Sequence, residues 1–283
     1  MRGRRRKGRR ARGGLPALAL AVLAGCAAAP GPGPVAPPPT GPAAEAFRAD
    51  LPAGDTAWSN DSLAALFVTL VFEAEWGARR ERLVRLEPPL TVALEGPGAE
   101  AHAPFLAEYL AYLRRHAGLD ITRARGGAAL TIRLVPGEAF RRLLPGAACT
   151  LVPGALDWAR YAADPARLGG RALIAADRLA AVTIFVPGDA APYRIRACLL
   201  EEIAQGLGPI NDLYGLSDSI FNDDFAHLWP TRLDLMMLRL LHAPGMETGL
   251  SRAEAERHAR AVLDRINPVG RRARDLPPVR LAG

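Results

Sequence analysis

The sequence predicts an α+β domain in which helices pack against a mixed sheet. Three observations indicate this class: segments with helical spacing of apolar residues, segments rich in alternating or β-branched residues, and an order of the two that does not follow a regular βαβ repeat. About 240 residues follow the Pro-rich segment described below, and 49% of the whole chain is hydrophobic. This length and composition suffice for one large core, or for a domain with a small partner.

The predicted elements begin with a buried helix and end with a capped one. Asn60-Asp61-Ser62 is expected to cap a helix over 62–74, whose apolar positions are too dense for a surface helix. Strands are predicted at 90–94, 128–136 and 179–188, the last rich in β-branched residues, and helices at 103–118, 198–208, 231–245 and 251–267. Ser251 and Glu254 form a capping box. The turn-rich region 137–171 gives no pattern that favours either a helix or a strand.

The first 26 residues predict export and lipidation. Eight basic residues lie within 2–12 and precede the apolar run 15–23, which is about half as long as a membrane-spanning helix. The residues Leu23-Ala24-Gly25-Cys26 resemble the lipobox of bacterial lipoproteins, in which the cysteine is lipidated and becomes the mature N-terminus. Residues 1–25 are therefore predicted to be a signal peptide, and Cys26 a membrane anchor. The alternatives are an ordinary signal peptide with a chance cysteine, or an uncleaved anchor.

The segment after Cys26 is predicted to separate the membrane anchor from the folded domain, and the net charge of the mature chain indicates whether it binds nucleic acid. Residues 27–42 are rich in Pro, Gly and Ala, so 26–42 is predicted to be an extended tether of about 3.1 Å per residue. A domain over 43–270 and a flexible tail over 271–283 are predicted to follow.

The whole chain carries a net charge of +7, but residues 1–25 hold eight basic residues and no acidic ones, which leaves −1 for the remainder. Nucleic acid is therefore excluded as a partner.

Two cysteines remain once Cys26 is assigned to lipid. In an oxidising envelope compartment, Cys149 and Cys198 are expected to form a disulfide. The alternative is a pair of buried free thiols. A catalytic cysteine is less consistent with the sequence, since no histidine lies near either residue.

The stretch 201–211 has the pattern E-E-x-x-Q-x-x-G-x-x-N, which resembles the metzincin pattern H-E-x-x-H-x-x-G-x-x-H. In an active metzincin two histidines on one helix face bind zinc, and the glutamate between them polarises the bound water. The resemblance implies a zincin-like fold in which Glu202 matches the general base. Glu201 and Gln205 replace the first two ligands, and Asn211, with Asp212 beside it, occupies the third position. The alternative is an unrelated helix with a solvated acidic face.

Two segments after this helix, 208–224 and 232–255, resemble a family of uncharacterised proteobacterial lipoproteins that carry a domain of unknown function. The likeness implies a cell-envelope lipoprotein. Ala27 and Ala28 follow the lipobox with no aspartate at the sorting position, and lipoproteins of this kind are usually sent to the outer membrane. We expect this chain at its periplasmic face.

The ligand positions argue against a metal or any other cofactor. Gln205 offers a neutral amide oxygen, which is a poor zinc ligand, and an oxygen-only site needs more carboxylates than the motif provides. His227 and His242 are expected to be packed or capping residues. The sequence therefore favours a non-catalytic zincin-like domain that binds a peptide or an envelope partner. The alternatives are a hydrolase using Glu201 and Glu202 with a divalent cation, or a purely structural lipoprotein.

Overall fold

A five-stranded sheet forms the centre of the structure, a computed structural model that describes residues 58–214, 216, 218–222, 227, 229–267 and 270. The strands are β1 (Leu90–Glu95), β2 (Ile121–Arg123), β3 (Leu130–Val135), β4 (Thr150–Pro153) and β5 (Val182–Pro187). Their spatial order is β2-β1-β3-β5-β4. Strands β2, β1, β3 and β5 run parallel to one another, and β4 pairs antiparallel with β5 at one edge of the sheet. The predicted α+β class with a mixed sheet is confirmed.

The central strands are buried on both faces. All six residues of β5 are buried, and β3 is buried at every position except Arg133. Near-continuous burial is typical of parallel strands that are covered by helices on both sides. The β-branched residues of β5 therefore predicted this strand correctly, and the strands at β1 and β3 lie within two residues of the predicted ranges.

The described residues form α1 (Asn60–Phe72), α2 (Ala99–Ala117), α3 (Gly137–Leu143), α4 (Trp158–Ala163), α5 (Pro165–Leu168), α6 (Gly170–Ala175), α7 (Pro192–Gly206), α8 (Arg232–Leu241) and α9 (Arg252–Ile266). The capping box of Ser251 and Glu254 at the start of α9 is confirmed. A second box, of Thr231 and Asp234, starts α8. These caps satisfy backbone N–H groups that have no partner within the helix.

The cap of α1 differs from the prediction. Ser59, one residue earlier than expected, accepts a hydrogen bond from the backbone N–H of Ser62 at 3.1 Å. Asn60 is buried instead, and its Nδ2 donates to Asp264 Oδ1 at 2.9 Å and to the carbonyl of Asn267 at 3.2 Å. Asn60 therefore joins α1 to the C-terminal end of α9, a long-range contact that local sequence does not reveal.

The unassigned region 137–171 contains α3, β4, α4, α5 and the start of α6, and it builds a second, smaller core. Phe140, Tyr161 and Phe185 are buried there together with Val135, Val152 and Leu156. Trp158 contacts Phe185 edge-on, with ring centroids 5.2 Å apart. Elements of four to seven residues are too short to show a reliable helical or strand period, so tertiary packing determines them.

Helix α7 follows β5 and packs against the sheet at its C-terminal end. A Cβ at Gly206 would lie 2.8 Å from Leu130 Cδ1 and 3.2 Å from Leu151 Cδ1, so a larger residue would require these leucine side chains to move. On another side, the Tyr109 hydroxyl of α2 donates to the carbonyl of Leu200 at 2.9 Å. The helix begins at Pro192, six residues before the predicted start. Proline suits this first position, because its fixed φ matches a helix and its missing N–H group would have no partner there.

The N-terminal predictions concern residues that the structure does not describe. The signal peptide 1–25, Cys26, the rest of the tether and the tail 271–283 all lie outside the described residues, as does the start of the predicted domain at 43. None of the helices in the described ranges combines the length and the apolar character that spanning a bilayer requires.

Candidate functional site

Helix α7 presents a polar face formed by Glu201, Glu202 and Gln205. Its apolar residues Leu199, Ile203 and Leu207 are fully buried, which fixes the rotation of the helix. Residues three and four apart lie side by side on a helix, so Glu201 and Gln205 are neighbours, and Glu202 lies one turn after Cys198. Glu202 is buried in the structure, whereas Glu201 and Gln205 are partly exposed.

Gln205 is hydrogen-bonded to Asp212. Its Nε2 donates to Asp212 Oδ1 at 2.6 Å, and both side chains are partly buried. The chain turns back between them at Gly208, whose φ of +148° and whose contact with Leu241 both exclude a side chain. The bond joins the last turn of α7 to the segment that follows the turn.

Asn211 is directed away from this bond. It is 4% exposed, and its Nδ2 donates to the carbonyl of Thr69 in α1 at 3.3 Å. The neighbouring Ile210 N–H donates to the carbonyl of Leu70 at 2.8 Å, so the segment 210–211 is fixed along α1. Of the two residues considered for the third ligand position, Asp212 is the one that contacts Gln205.

Glu202 is buried without a hydrogen-bond partner among the described residues. Glu202 is 7% exposed to solvent. Burial, together with the negative charges of Asp212 and Glu75, raises the pKa of Glu202 to about 8. At neutral pH the carboxyl group is therefore mainly protonated, since the charged form lacks both water and a counter-ion.

A buried arginine supports the turn at Gly208, and sequence reasoning missed it. The guanidinium of Arg80 donates to the carbonyls of Leu173 at 2.9 Å, Val84 at 3.2 Å and Gly208 at 3.4 Å. Burial lowers its pKa to about 10. Since these acceptors belong to three separate segments, Arg80 joins the chain before β1 to α6 and to the end of α7.

Another side of Glu201 lines a small pocket between α7 and residues of the chain that follows it. Its walls are formed by Ala197, Leu200, Glu201, Ser219, Ile220, Asn222 and His227. Asn222 is 4% exposed, and its Oδ1 is buried without a hydrogen-bond donor among the described residues. Sequence reasoning did not select Ser219 or Asn222 as site residues, although both lie in the stretch on which the family likeness rests.

Asp234 in α8 fixes this wall of the pocket. Its carboxylate is fully buried and accepts hydrogen bonds from Ser219 Oγ, from the backbone N–H of Ile220 at 3.0 Å and from that of Thr231 at 2.6 Å. Burial raises the pKa of Asp234 to about 6, although the hydrogen bonds oppose this shift. The residue is thus both a helix cap and an anchor for the segment 219–220.

The disulfide between Cys149 and Cys198 is present, as predicted. Cys198 is 1% exposed, whereas Cys149 is partly accessible just before β4. The bond therefore ties the edge of the sheet to α7, one helical turn before Glu202.

Two exposed aromatic residues are close in sequence to Glu75 and Asp212. Trp76 is 49% exposed and lies next to Glu75, and Tyr214 is 74% exposed and lies two residues after Asp212. Within the described part of the chain these are the large hydrophobic side chains that are exposed. Exposed aromatic side chains beside polar groups are typical of binding surfaces.

The residues at the ligand positions do not fit a zinc ion. Gln205 uses its amide as a donor to Asp212, and Asn211 uses its amide as a donor to the Thr69 carbonyl. The other two groups, Glu201 and Asp212, are carboxylates, and no histidine stands at these positions. Across the described ranges, no group of three or more His, Cys, Asp and Glu side chains is arranged to bind a metal ion. His242 is distant from this motif in sequence and caps α8, and burial and Arg85 lower its pKa to about 3.

Comparison with known proteins identifies a family for most of the folded region. Residues 60–261 match the family described as "Protein of unknown function (DUF2927)". No curated protein and no solved structure matches the chain.

Proposed function

The chain belongs to the DUF2927 family of proteins of unknown function, and from that premise we propose that it is a cell-envelope lipoprotein whose zincin-like domain binds a peptide or an envelope protein without catalysis. The observation that carries this proposal is the hydrogen bond from Gln205 to Asp212. It joins Gln205, at the second ligand position of the metzincin pattern, to Asp212, the residue directly after the third, so the helix and the following segment are connected without a metal ion.

The order of elements supports the zincin-like part of the proposal. A buried strand, β5, leads into α7, the helix carries the E-E-x-x-Q residues, and the chain turns at a glycine with positive φ before Asp212. This is the arrangement that the resemblance to the metzincin pattern implies. The residue types at the ligand positions depart from the pattern, and that departure supports binding over zinc-dependent hydrolysis.

The surface around the motif supports a binding role. Trp76 and Tyr214 offer exposed aromatic area, and they are close in sequence to Glu75 and Asp212. Such side chains contribute contact area to partner recognition at a small cost in side-chain entropy. Lipidation at Cys26 would hold this surface near the membrane, and the predicted tether would separate it from the lipid headgroups.

The second candidate is a hydrolase that uses Glu201 and Glu202. The raised pKa of Glu202, about 8, favours this alternative, because a carboxyl group that is partly protonated near neutral pH can serve as a general acid or base. It requires a divalent cation bound by oxygen ligands, of which the motif supplies Glu201 and Asp212.

One experiment separates these candidates. A mixture of random-sequence peptides is incubated with the purified full-length chain, with and without added Zn²⁺ or Mg²⁺, and mass spectrometry identifies retained and cleaved peptides. We expect a retained subset without cleavage, and weaker retention by an Asp212→Ala variant. The control variant is Glu100→Gln, which changes an exposed residue in the first turn of α2.

Two outcomes would contradict the proposal. Cation-dependent cleavage that is lost in Glu202→Gln but kept in Glu100→Gln would establish the hydrolase. Neither retention nor cleavage would favour the purely structural lipoprotein.

A further inference from the structure

Arg196 in α7 has a partly buried guanidinium group without a counter-ion. Its Nε is buried and donates no hydrogen bond within the described part of the chain. No carboxylate of the described ranges forms an ion pair with it. Its Cζ lies over the ring of Phe105 in α2, 5.3 Å from the centroid. Taking a charge out of water is costly unless an opposite charge offsets the loss, so this group favours a bound anion.

His102 lies beside this guanidinium because α2 and α7 pack against each other. His102 and Phe105 are three residues apart and are therefore neighbours on one face of α2. Tyr109, one turn further along that face, donates from its hydroxyl to the Leu200 carbonyl at 2.9 Å, and Leu200 lies one turn after Arg196. These contacts hold the two helices side by side, with the start of α2 next to the start of α7.

His102 is a second donor without an acceptor. The residue is 9% exposed, and its ring makes no hydrogen bond within the described residues. Burial and the positive charge of Arg196 lower the pKa of His102. At pH 7 the ring is therefore neutral, with one N–H donor, and the positive charge at this place belongs to Arg196.

The ends of both helices add to the positive potential. Gly98 precedes α2 and Ala191 precedes α7, and neither makes a side-chain capping hydrogen bond. His102 is the fourth residue of α2 and Arg196 the fifth of α7, and helical side chains point toward the N-terminus. Free N–H groups at such ends favour anions. Glu100, in the first turn of α2, is exposed and offsets only part of this potential.

We infer that Arg196 and His102 form a binding site for a carboxylate group where the first turns of α2 and α7 meet. Stacking on Phe105 occupies the face of the guanidinium and leaves its edge for an acceptor. A carboxylate is planar and accepts two parallel hydrogen bonds from such an edge. His102 would donate a third. A single positive charge also matches a carboxylate better than a phosphate dianion.

This carboxylate site goes beyond the proposed function, because it lies on a different face of α7. Arg196 and Leu200 lie on the face that meets α2, whereas Glu201, Glu202 and Gln205 lie on the others. The site therefore does not depend on the metzincin likeness. Two sources carry the required chemistry: a peptide, through its C-terminus or an acidic side chain, and a small free carboxylic acid.

The direct test is an NMR titration of the purified full-length chain with sodium acetate at constant ionic strength, with acetamide as the neutral control. The sequence has five histidines, so His102→Gln identifies the ring signals of His102 by their loss. We expect acetate, and not acetamide, to shift these signals saturably. Bound acetate should also raise the pKa of His102, because its negative charge opposes the repulsion from Arg196.

Substitutions of Arg196 test the role of its guanidinium. Arg196→Gln should weaken acetate binding at least about tenfold, the size expected for a hydrogen bond to a charged group. Arg196→Lys should keep only part of the affinity, because lysine retains the charge and loses the bidentate geometry. The matched control is Arg115→Gln, which removes an exposed arginine from the last turn of α2 and should leave binding unchanged. The comparison of acetate with acetamide on the wild-type chain needs no variant to fold.

Three results would overturn the inference. Equal shifts with acetamide, or acetate binding that is unchanged in Arg196→Gln, would mean that no carboxylate binds at this guanidinium. Inorganic phosphate that binds more than about tenfold tighter than acetate at pH 7 would mean that the site takes a phosphate group instead.

Peptide probes distinguish the two sources. N-acetyl-trialanine has a C-terminal carboxylate, N-acetyl-glutamate α-methylamide has a side-chain carboxylate, and N-acetyl-trialanine amide has neither. Tighter binding of one of the first two than of acetate would identify a peptide as the source, and equal binding a small free acid. Acetate binding by a chain that retains no peptide would contradict the proposed function and support this site. Retained peptides without any response to acetate would contradict this site alone.

Discussion

Gln205 Nε2 donates to Asp212 Oδ1 at 2.6 Å across the turn at Gly208. The bond has a charged acceptor and is partly shielded from water, both of which strengthen a hydrogen bond. It connects the end of α7 to a segment that is otherwise fixed by Asn211 and Ile210 along α1. The side chains of Gln205 and Asp212 therefore stabilise the turn at Gly208 directly.

The first prediction concerns this pair. Gln205→Leu should lower the free energy of unfolding by about 1–2 kcal/mol, because it removes a hydrogen bond to a carboxylate. Urea unfolding of Gln205→Leu, Asp212→Leu and the double variant should give a favourable coupling energy of at least about 0.5 kcal/mol. Additive effects of the two substitutions would show that the bond contributes nothing to stability.

The second prediction concerns Glu202 and pH. The folded state raises its pKa from 4.5 to about 8, so the folded protein binds a proton more tightly than the unfolded chain does. Stability should therefore fall as pH rises through this window, by up to about 5 kcal/mol from this residue when each pKa unit is taken as 1.36 kcal/mol. Below pH 4.5 both states are protonated, so the stability has its full value and no longer changes with pH through this residue.

Glu202→Gln should remove this dependence. Urea unfolding at pH 5 and pH 8 should show a smaller loss of stability for this variant than for the wild-type chain, and Glu100→Gln should behave like wild type. Asp234, whose pKa is raised to about 6, contributes equally to the pH dependence of the wild-type chain and of Glu202→Gln, so its effect cancels in the comparison. Identical pH slopes for wild type and Glu202→Gln would mean that Glu202 is hydrated in solution.

The third prediction concerns the disulfide. Cys149 and Cys198 are separated by 49 residues, and closing a loop of this length restricts the unfolded chain by about 4 kcal/mol in the chain-entropy model. Cys149→Ala with Cys198→Ala should lower the free energy of unfolding by about that amount under oxidising conditions. A reductant should destabilise the wild-type chain and leave the double variant unaffected. Equal stability of the two oxidised proteins would contradict the stabilising role.

Local signals explain which parts of the fold could be predicted from sequence. The pair Ser251 and Glu254 lies within one turn, so the cap of α9 was visible in the sequence, and so were the buried β-branched residues of β5. The short elements of 137–171 were not visible, because their stability depends on the aromatic packing around Phe185. Long-range packing also determined the burial of Asn60.

The candidate site was predictable only in part, for the same reason. Helical periodicity placed Glu201, Glu202 and Gln205 on one side of α7, and the spacing allowed either Asn211 or Asp212 to face them. The choice of Asp212 depends on Asn211 binding the Thr69 carbonyl, 142 residues away in sequence. The pocket at Asn222 depends on the burial of a loop residue, and no spacing rule indicates such burial.

The fourth prediction concerns Asp234, which anchors the pocket wall. Asp234→Ala should lower the free energy of unfolding by about 3–5 kcal/mol, because three donors from Ser219, Ile220 and Thr231 would lose a fully buried acceptor. Asp234→Asn should cost less, since the amide keeps one acceptor oxygen, but its N–H₂ group would face a donor. Urea unfolding measures both effects.

The same variants test whether Asp234 also maintains the pocket. Because Ser219 and Ile220 are held by this carboxylate, Asp234→Asn should shift the NMR signals of the Asn222 side-chain amide at pH 7, even though the chain remains folded by circular dichroism. The matched control is Glu254→Gln, which alters the exposed capping box of α9 and contacts no residue of the pocket. If Asp234→Asn lowered stability and left the Asn222 signals unchanged, Asp234 would act only as a cap of α8, and the pocket wall would be fixed by other contacts.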